Sequence, residues 1–184
     1  MSSVRVWDLF VRLFHWSTAI LFLSNYWLTE EGGRTHRYIG YTLIGLVLAR
    51  IIWGFIGTTY ARFSSFVPTP TTLFGYLRAV RNGKHPYYLS HNPLGALMVL
   101  FLLVMLLATG SSGWLLTTDT FEAEPWLEEL HELSANLVMF AVGVHIAAVI
   151  WVTHTARERL VPAMWDGMKP EKPEQDQAQD EKNR

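Results

Sequence analysis

The sequence predicts an all-α membrane protein, a four-transmembrane-helix bundle with both termini cytoplasmic and a short interfacial helix between the second and third spans. Three observations predict it. Only 17% of the 184 residues are charged, and these crowd into the ends and three connections. That is the pattern of membrane segments, although the 50% hydrophobic content would by itself suit a soluble domain equally well. Four apolar runs each come close to the roughly 20 residues a helix needs to cross the hydrocarbon. Finally, lysine and arginine gather on connections that would all lie on one side of such a bundle.

The first run, residues 9–28, continues to spanning length and lacks the charged start, short apolar core and small-residue cleavage site of a signal peptide, so it reads as a helix that stays. A polar turn over 29–34, with Gly32 and Gly33, suits an antiparallel hairpin into the second run, 38–56. The next connection, 57–92, carries Arg62, Pro68, Pro70, Arg78, Arg81 and Lys84. Within it Phe74, Tyr76, Leu77 and Val80 fit an amphipathic helix lying in the interface. The third run is 94–116. A loop over 117–130 then holds Asp119, Glu122, Glu124, Glu128 and Glu129 and no basic residue. The fourth run is 133–152. Residues 1–168 thus form the membrane domain, and 169–184, polar and without an apolar stretch, read as a disordered cytoplasmic tail.

Cytoplasmic loops retain an excess of lysine and arginine. Arg5, Arg12, the basic second connection, Arg157 and Arg159 share one side, opposite the acidic third loop, which places both termini in the cytoplasm. Arg34 and Arg37 violate the bias and need a local partner or plain solvation.

The chain has no cysteine, which excludes disulfides, iron–sulfur ligation, thiolate chemistry and covalent haem attachment through Cys-x-x-Cys-His. The net charge of -1 and the lack of a Gly-rich phosphate loop give no sign of nucleic acid or nucleotide. Any metal or cofactor has to be held by other ligands, and histidine is the obvious one.

There are seven histidines: His15, His36, His85, His91, His131, His145 and His154. Taken singly, each has an ordinary explanation in interfacial hydrogen bonding. Four of them agree in depth, however. His15 lies in the inner half of the outward-running first helix and His145 in the inner half of the inward-running fourth. His36 opens the second helix and His131 the fourth, both at the outer surface. The fourteen residues from His131 to His145 are about 21 Å of rise and just under four turns, so both rings leave one face. Imidazoles at membrane depth are costly unless buried and paired. A haem iron takes two axial imidazoles, and facing helices of a bundle supply them well, so the histidines read as holding two b-type haems, one toward each surface.

Haem propionates need positive charge. Arg34 and Arg37 flank His36, as an outer clamp or as solvated cations. Arg50, fourteen residues after His36, shares its face at the inner depth, where it either meets a propionate or snorkels to the cytoplasmic surface. The tryptophans fit an interfacial aromatic belt. Gly40, Gly45, Gly95, Ala96 and Gly143 suit close helix approach, with Gly40 and Gly143 also able to make room for a porphyrin. His91, before Asn92 and Pro93, has a helix-start role, or else serves as a spare ligand or quinone-facing group.

Several stretches together resemble the bacterial cytochrome b561 and nickel-iron hydrogenase cytochrome b family: VRVWDLFVRLFHW at 4–16, HRYIGYTLIGLVLARIIWGFIG at 36–57, RFSSFV at 62–67, HNPLGALMVL at 91–100 and HELSANLVMFAVGVH at 131–145. The resemblance implies a four-helix di-haem membrane cytochrome b that exchanges electrons with quinone, with His15, His36, His131 and His145 at the family's ligand positions. The function it implies is a relay between the membrane quinone pool and a periplasmic redox partner. A c-type cytochrome with a basic face would suit the acidic loop. A cytochrome b subunit of a nickel-iron hydrogenase is the alternative within the class. Outside it stand a histidine-lined metal or proton transporter, which the lack of intramembrane carboxylates disfavours, and a passive membrane anchor.

Overall fold

In a computed structural model, residues 3–84, 86–122, 124–156 and 158–171 are described; His85, Arg157 and most of the expected polar tail, 172–184, lie outside them. The chain opens with a short strand, β1 (Ser3–Arg5), followed by the helices α1 (Leu9–Leu28) and α2 (Arg34–Ile56). A 3₁₀ turn over Thr59–Ala61 leads to α3 (Phe63–Phe66) and α4 (Pro70–Arg81), then to the long helices α5 (Pro93–Leu115) and α6 (Pro125–Thr155). The chain finishes with α7 (Leu160–Asp166) and β2 (Met168–Pro170).

Local chemistry sets the helix starts. Asp8, Thr69 and Asn92 each cap the next helix by accepting a backbone N–H, from Val11, Thr72 and Gly95 respectively. Pro70, Pro93 and Pro125 occupy first-turn positions where no N–H is needed. Pro125 explains a departure from the sequence expectation, because α6 starts eight residues before 133. Glu128, Glu129 and Glu132 interrupt the apolar run without interrupting the helix, and acidic residues near a helix N-terminus are favourable. His131 therefore sits inside α6 and not at its start. The helix has 31 residues, about 46 Å of rise, so one end projects beyond a hydrocarbon layer of about 30 Å. Likewise α2 begins at Arg34 and not at 38, behind Gly33 and the left-handed Gly32 (φ 66°).

Three helices, α2, α5 and α6, are long and apolar enough to cross a membrane. Helix α1 has spanning length, but Arg12, His15 and Asn25 lower its apolarity. The long helices pack in the order α1, α2, α5, α6, with the closest association between α5 and α6, while α6 stands off α1 and α2. Between the long helices, Gly110 packs directly against Ile44, whose Cγ1 leaves no room for an added Cβ. Gly40, Gly45 and Gly143, expected at close helix contacts, instead have no heavy atom within 4 Å of the position a Cβ would take. Phe22, Leu43 and Val138 are buried together in the middle of the bundle, with Leu102, Met105 and Leu106 against them.

The end of the bundle bearing the two chain termini, called here the terminal end, departs from an all-α architecture. β1 and β2 pair antiparallel, Ser3 with Pro170 and Arg5 with Met168, and the Gly167 carbonyl accepts from the N–H groups of Val6 and Trp7. Lys169, the first residue of the expected tail, is one of the most buried residues, 2% exposed. Its ammonium donates to the Tyr88 carbonyl at 3.0 Å and to the Glu158 carboxylate at 3.1 Å. Sequence composition hides this, because a lysine in a polar stretch carries no sign of its partner. Removing one member of a buried pair strands the other charge. Glu158→Gln is expected to cost about 3 kcal/mol, read as a lower thermal unfolding midpoint in detergent; an unchanged midpoint would show the pair to be dispensable.

The amphipathic segment is α4. Phe74 is exposed on it, whereas Tyr76 is buried against Tyr88.

Candidate functional site

The helices bring the four depth-matched histidines into two facing pairs. At the terminal end, the rings of His15 on α1 and His145 on α6 lie 6.4 Å apart between centres. At the opposite end, which carries the α1–α2 turn and is called here the turn end, His36 on α2 and His131 on α6 lie 6.1 Å apart. Two metal–imidazole bonds of about 2 Å, with the half-depth of each ring, place two coordinated ring centres roughly 6 Å apart. Both pairs thus leave room for one metal atom between nitrogens. Among the described residues, no three metal-ligating side chains converge anywhere; each pair offers two imidazoles, the number axial ligation of a haem iron needs.

The pairs are registered by sevens. Phe22 follows His15 by seven residues, Leu43 lies midway between His36 and Arg50, and Val138 midway between His131 and His145. Seven residues make nearly two turns, so each helix presents histidine and then an apolar residue on one face. The buried cluster of Phe22, Leu43 and Val138 is the layer between the two sites.

At the turn end the ring orientations are fixed by hydrogen bonds. The His131 Nδ1 donates to the Thr109 carbonyl at 2.9 Å. A carbonyl only accepts, so the proton is on Nδ1 and the Nε2 lone pair is free for a metal. Ser112 Oγ lies 3.2 Å from the same nitrogen and donates to the Thr109 carbonyl. The close approach needs Gly113, where an added Cβ would fall 2.7 Å from Cε1 of His131. His36 Nδ1 lies 3.2 Å from the Thr29 hydroxyl. That hydroxyl gives its proton to the Asn25 carbonyl at 2.6 Å, so it accepts from His36. Sequence reading missed Thr29, Thr109, Ser112 and Gly113. The signal was the polar run Thr-Gly-Ser-Ser-Gly at 109–113 inside an otherwise apolar helix.

The terminal-end pair is bare by comparison. The Nδ1 of His15 is buried without a hydrogen-bond partner among the described residues. Nearby, Arg50 is 3% exposed, so its guanidinium is withdrawn from solvent. Nη2 donates to the Ala61 carbonyl at 3.1 Å, the group lies 5.4 Å above the Phe63 ring, and Nη1 is buried without a partner. A buried cation with a free donor suits the carboxylate of a ligand. Gly40, one turn deeper than His36 on the same helix face, has open space beside it and fits a flat ring there; Gly143, two residues before His145, points away from the histidine face. Arg34 and Arg37 are exposed at the turn end, with Arg37 Nε donating to the Gly32 carbonyl at 2.8 Å.

His91 sits between Trp7 and Phe66, with ring centres 4.7 and 4.6 Å away. Burial drives its pKa down to about 3, and Arg50, Lys169 and His145 add to the push. The unfolded chain therefore binds a proton near pH 6.5 that the folded chain refuses. The resulting stability is complete above pH 6.5 and is lost as the pH falls from there toward 3. A His91→Phe variant should flatten that part of the stability curve, measured by thermal unfolding across the same range; an unchanged curve would mean that His91 does not set it. His154, in the last turn of α6, is exposed and joins neither pair.

Residues 6–167 match the family model described as prokaryotic cytochrome b561. The chain belongs to the prokaryotic cytochrome b561 family. It is therefore a membrane b-type cytochrome of electron transfer, a haem b binder whose redox partners lie in a membrane electron-transport chain. The match spans all four long helices, both histidine pairs and α7 up to Gly167. No curated protein and no solved structure matches this cytochrome b561 chain.

Proposed function

We propose that the chain is a four-span, di-haem electron carrier of a bacterial inner membrane, relaying electrons between the quinone pool and a periplasmic redox protein. The observation that carries this is the pair of facing imidazole couples, 6.1 and 6.4 Å between ring centres, displaced along α6 by fourteen residues. His15 and His145 would hold one haem iron, His36 and His131 the other. Bound haem supplies the one-electron iron couple. The protein's own work is to keep four imidazoles neutral, aimed and dry, and to fill the space between the sites with apolar side chains.

Arg50 would neutralise a propionate at the terminal-end site through its free Nη1, and Arg34 with Arg37 would serve the turn-end site. Helix α1 counts as the fourth span, since an arginine and a histidine facing the bundle are tolerable where buried and paired. Basic residues at the terminal end support a cytoplasmic location for it and for both termini. Helix α4, with Phe74 outward, fits the cytoplasmic interface, and residues 172–184 complete a polar cytoplasmic tail. The acidic α5–α6 loop fits a basic periplasmic partner such as a c-type cytochrome.

The deciding experiment is purification in detergent from haem-replete cells, followed by a pyridine haemochrome assay against protein concentration. Two haems per chain, reduced by a quinol analogue, are expected; none or one would overturn the proposal.

A further inference from the structure

The two histidine pairs differ in what stands behind the rings. At the turn end both Nδ1–H groups have acceptors, the Thr109 carbonyl for His131 and the Thr29 hydroxyl for His36. At the terminal end, the Nδ1 of His15 is buried without a hydrogen-bond partner among the described residues. Donation from Nδ1–H makes an imidazole more basic toward its metal. A more basic axial ligand favours ferric iron and lowers the reduction potential.

Charge is distributed in the same sense. The charge of buried Lys169 is met by Glu158 at 3.1 Å, so the cation left at the terminal end is Arg50, which acts on His91 as His145 does and has Asp8 as a distant counter-charge. Positive charge nearby favours the ferrous state, which carries one positive charge fewer. At the turn end Glu31 is near enough to interact with His36. The acidic loop before α6 and the exposed Glu128 and Glu132 lie on the same side. Arg34 and Arg37 oppose this, but both are exposed and screened by solvent.

Resting on the di-haem reading above, we propose that the His36–His131 site is the low-potential seat and the His15–His145 site the high-potential one, so that electrons run from the turn end to the terminal end. The transfer is balanced within the chain: one electron leaves ferrous iron at the turn end, which becomes ferric, and reduces ferric iron at the terminal end to ferrous, with no proton moved. A one-electron redox protein would recharge the turn end. A quinone would discharge the terminal end, taking two electrons in succession and two protons to become the quinol.

The test is an optical potentiometric titration of the full chain carrying both haems. Two one-electron waves are expected. Thr29→Val, which keeps the side-chain shape and removes one of the two oxygens, Thr29 Oγ1 and the Asn25 carbonyl, that face the His36 ring, should raise the lower wave and leave the upper one in place. Arg50→Gln should lower the upper wave alone. His145→Ala should leave a single wave at the lower position. The proposal is overturned if Thr29→Val moves the upper wave or neither, or if the wave surviving in His145→Ala is the upper one. A wild-type preparation with fewer than two haems would instead sink the underlying di-haem reading, and is recognised by its stoichiometry before any titration.

Discussion

His145→Ala is expected to retain one haem per chain in place of two, and His131→Ala likewise, but the haem that survives should differ between them. Both histidines stand on one face of α6, each facing a different helix, α1 for His145 and α2 for His131. On the di-haem reading, a small side chain at either position removes one axial ligand and leaves the other site with both of its own. The double variant should bind none. Haem stoichiometry and the reduced-minus-oxidised spectrum of each variant decide the matter: identical spectra from the two single variants would mean that α6 serves one site only. His154→Ala, at the exposed end of the same helix, should leave both haems in place and is the internal control.

Gly113→Val should be nearly as damaging as His131→Ala while touching no ligand. Already the first added carbon would sit 2.7 Å from Cε1 of His131, well inside van der Waals contact, and valine adds two methyl groups. Either the ring leaves the Thr109 carbonyl or α5 and α6 part. Both outcomes spoil a ligand geometry that tolerates little displacement. The expected result is loss of most of the turn-end haem with the terminal-end haem preserved. Full retention of both would show that the α5–α6 contact does not position His131. By contrast Gly40→Ala meets no protein atom within 4 Å, so any haem loss there would come from the space beside His36 itself.

The sequence was most readable where one periodicity governs. Hydropathy located the four long helices, the fourteen-residue interval on α6 put two histidines on one face, and the depth argument paired them as the structure does. It was least readable where the determinant lies on another element. Nothing in the vicinity of His131 announces that its orientation comes from Thr109, Ser112 and Gly113 on α5. Nothing around Lys169 announces a buried ion pair with Glu158. The start of α6 was misplaced because hydropathy stops where charge begins, whereas the helix continues to Pro125. Arg50 could be read from spacing as either buried or snorkelling; only packing by Phe63 and the Ala61 carbonyl separates the two.

The apolar layer formed by Phe22, Leu43 and Val138 has a bearing on energy conversion. It offers no hydroxyl, carboxylate or imidazole along which a proton could hop, so on the di-haem reading the charge that passes it is the electron alone. Such a layer acts as the dielectric of a capacitor, and each turnover is electrogenic. Moving a full elementary charge across the bilayer involves about 2.3 kcal/mol per 100 mV of membrane voltage, and the part of that drop falling between the two sites would bear on every transfer. The voltage of the living membrane would thereby act as a brake or an assist on the relay, according to the direction in which the electrons run.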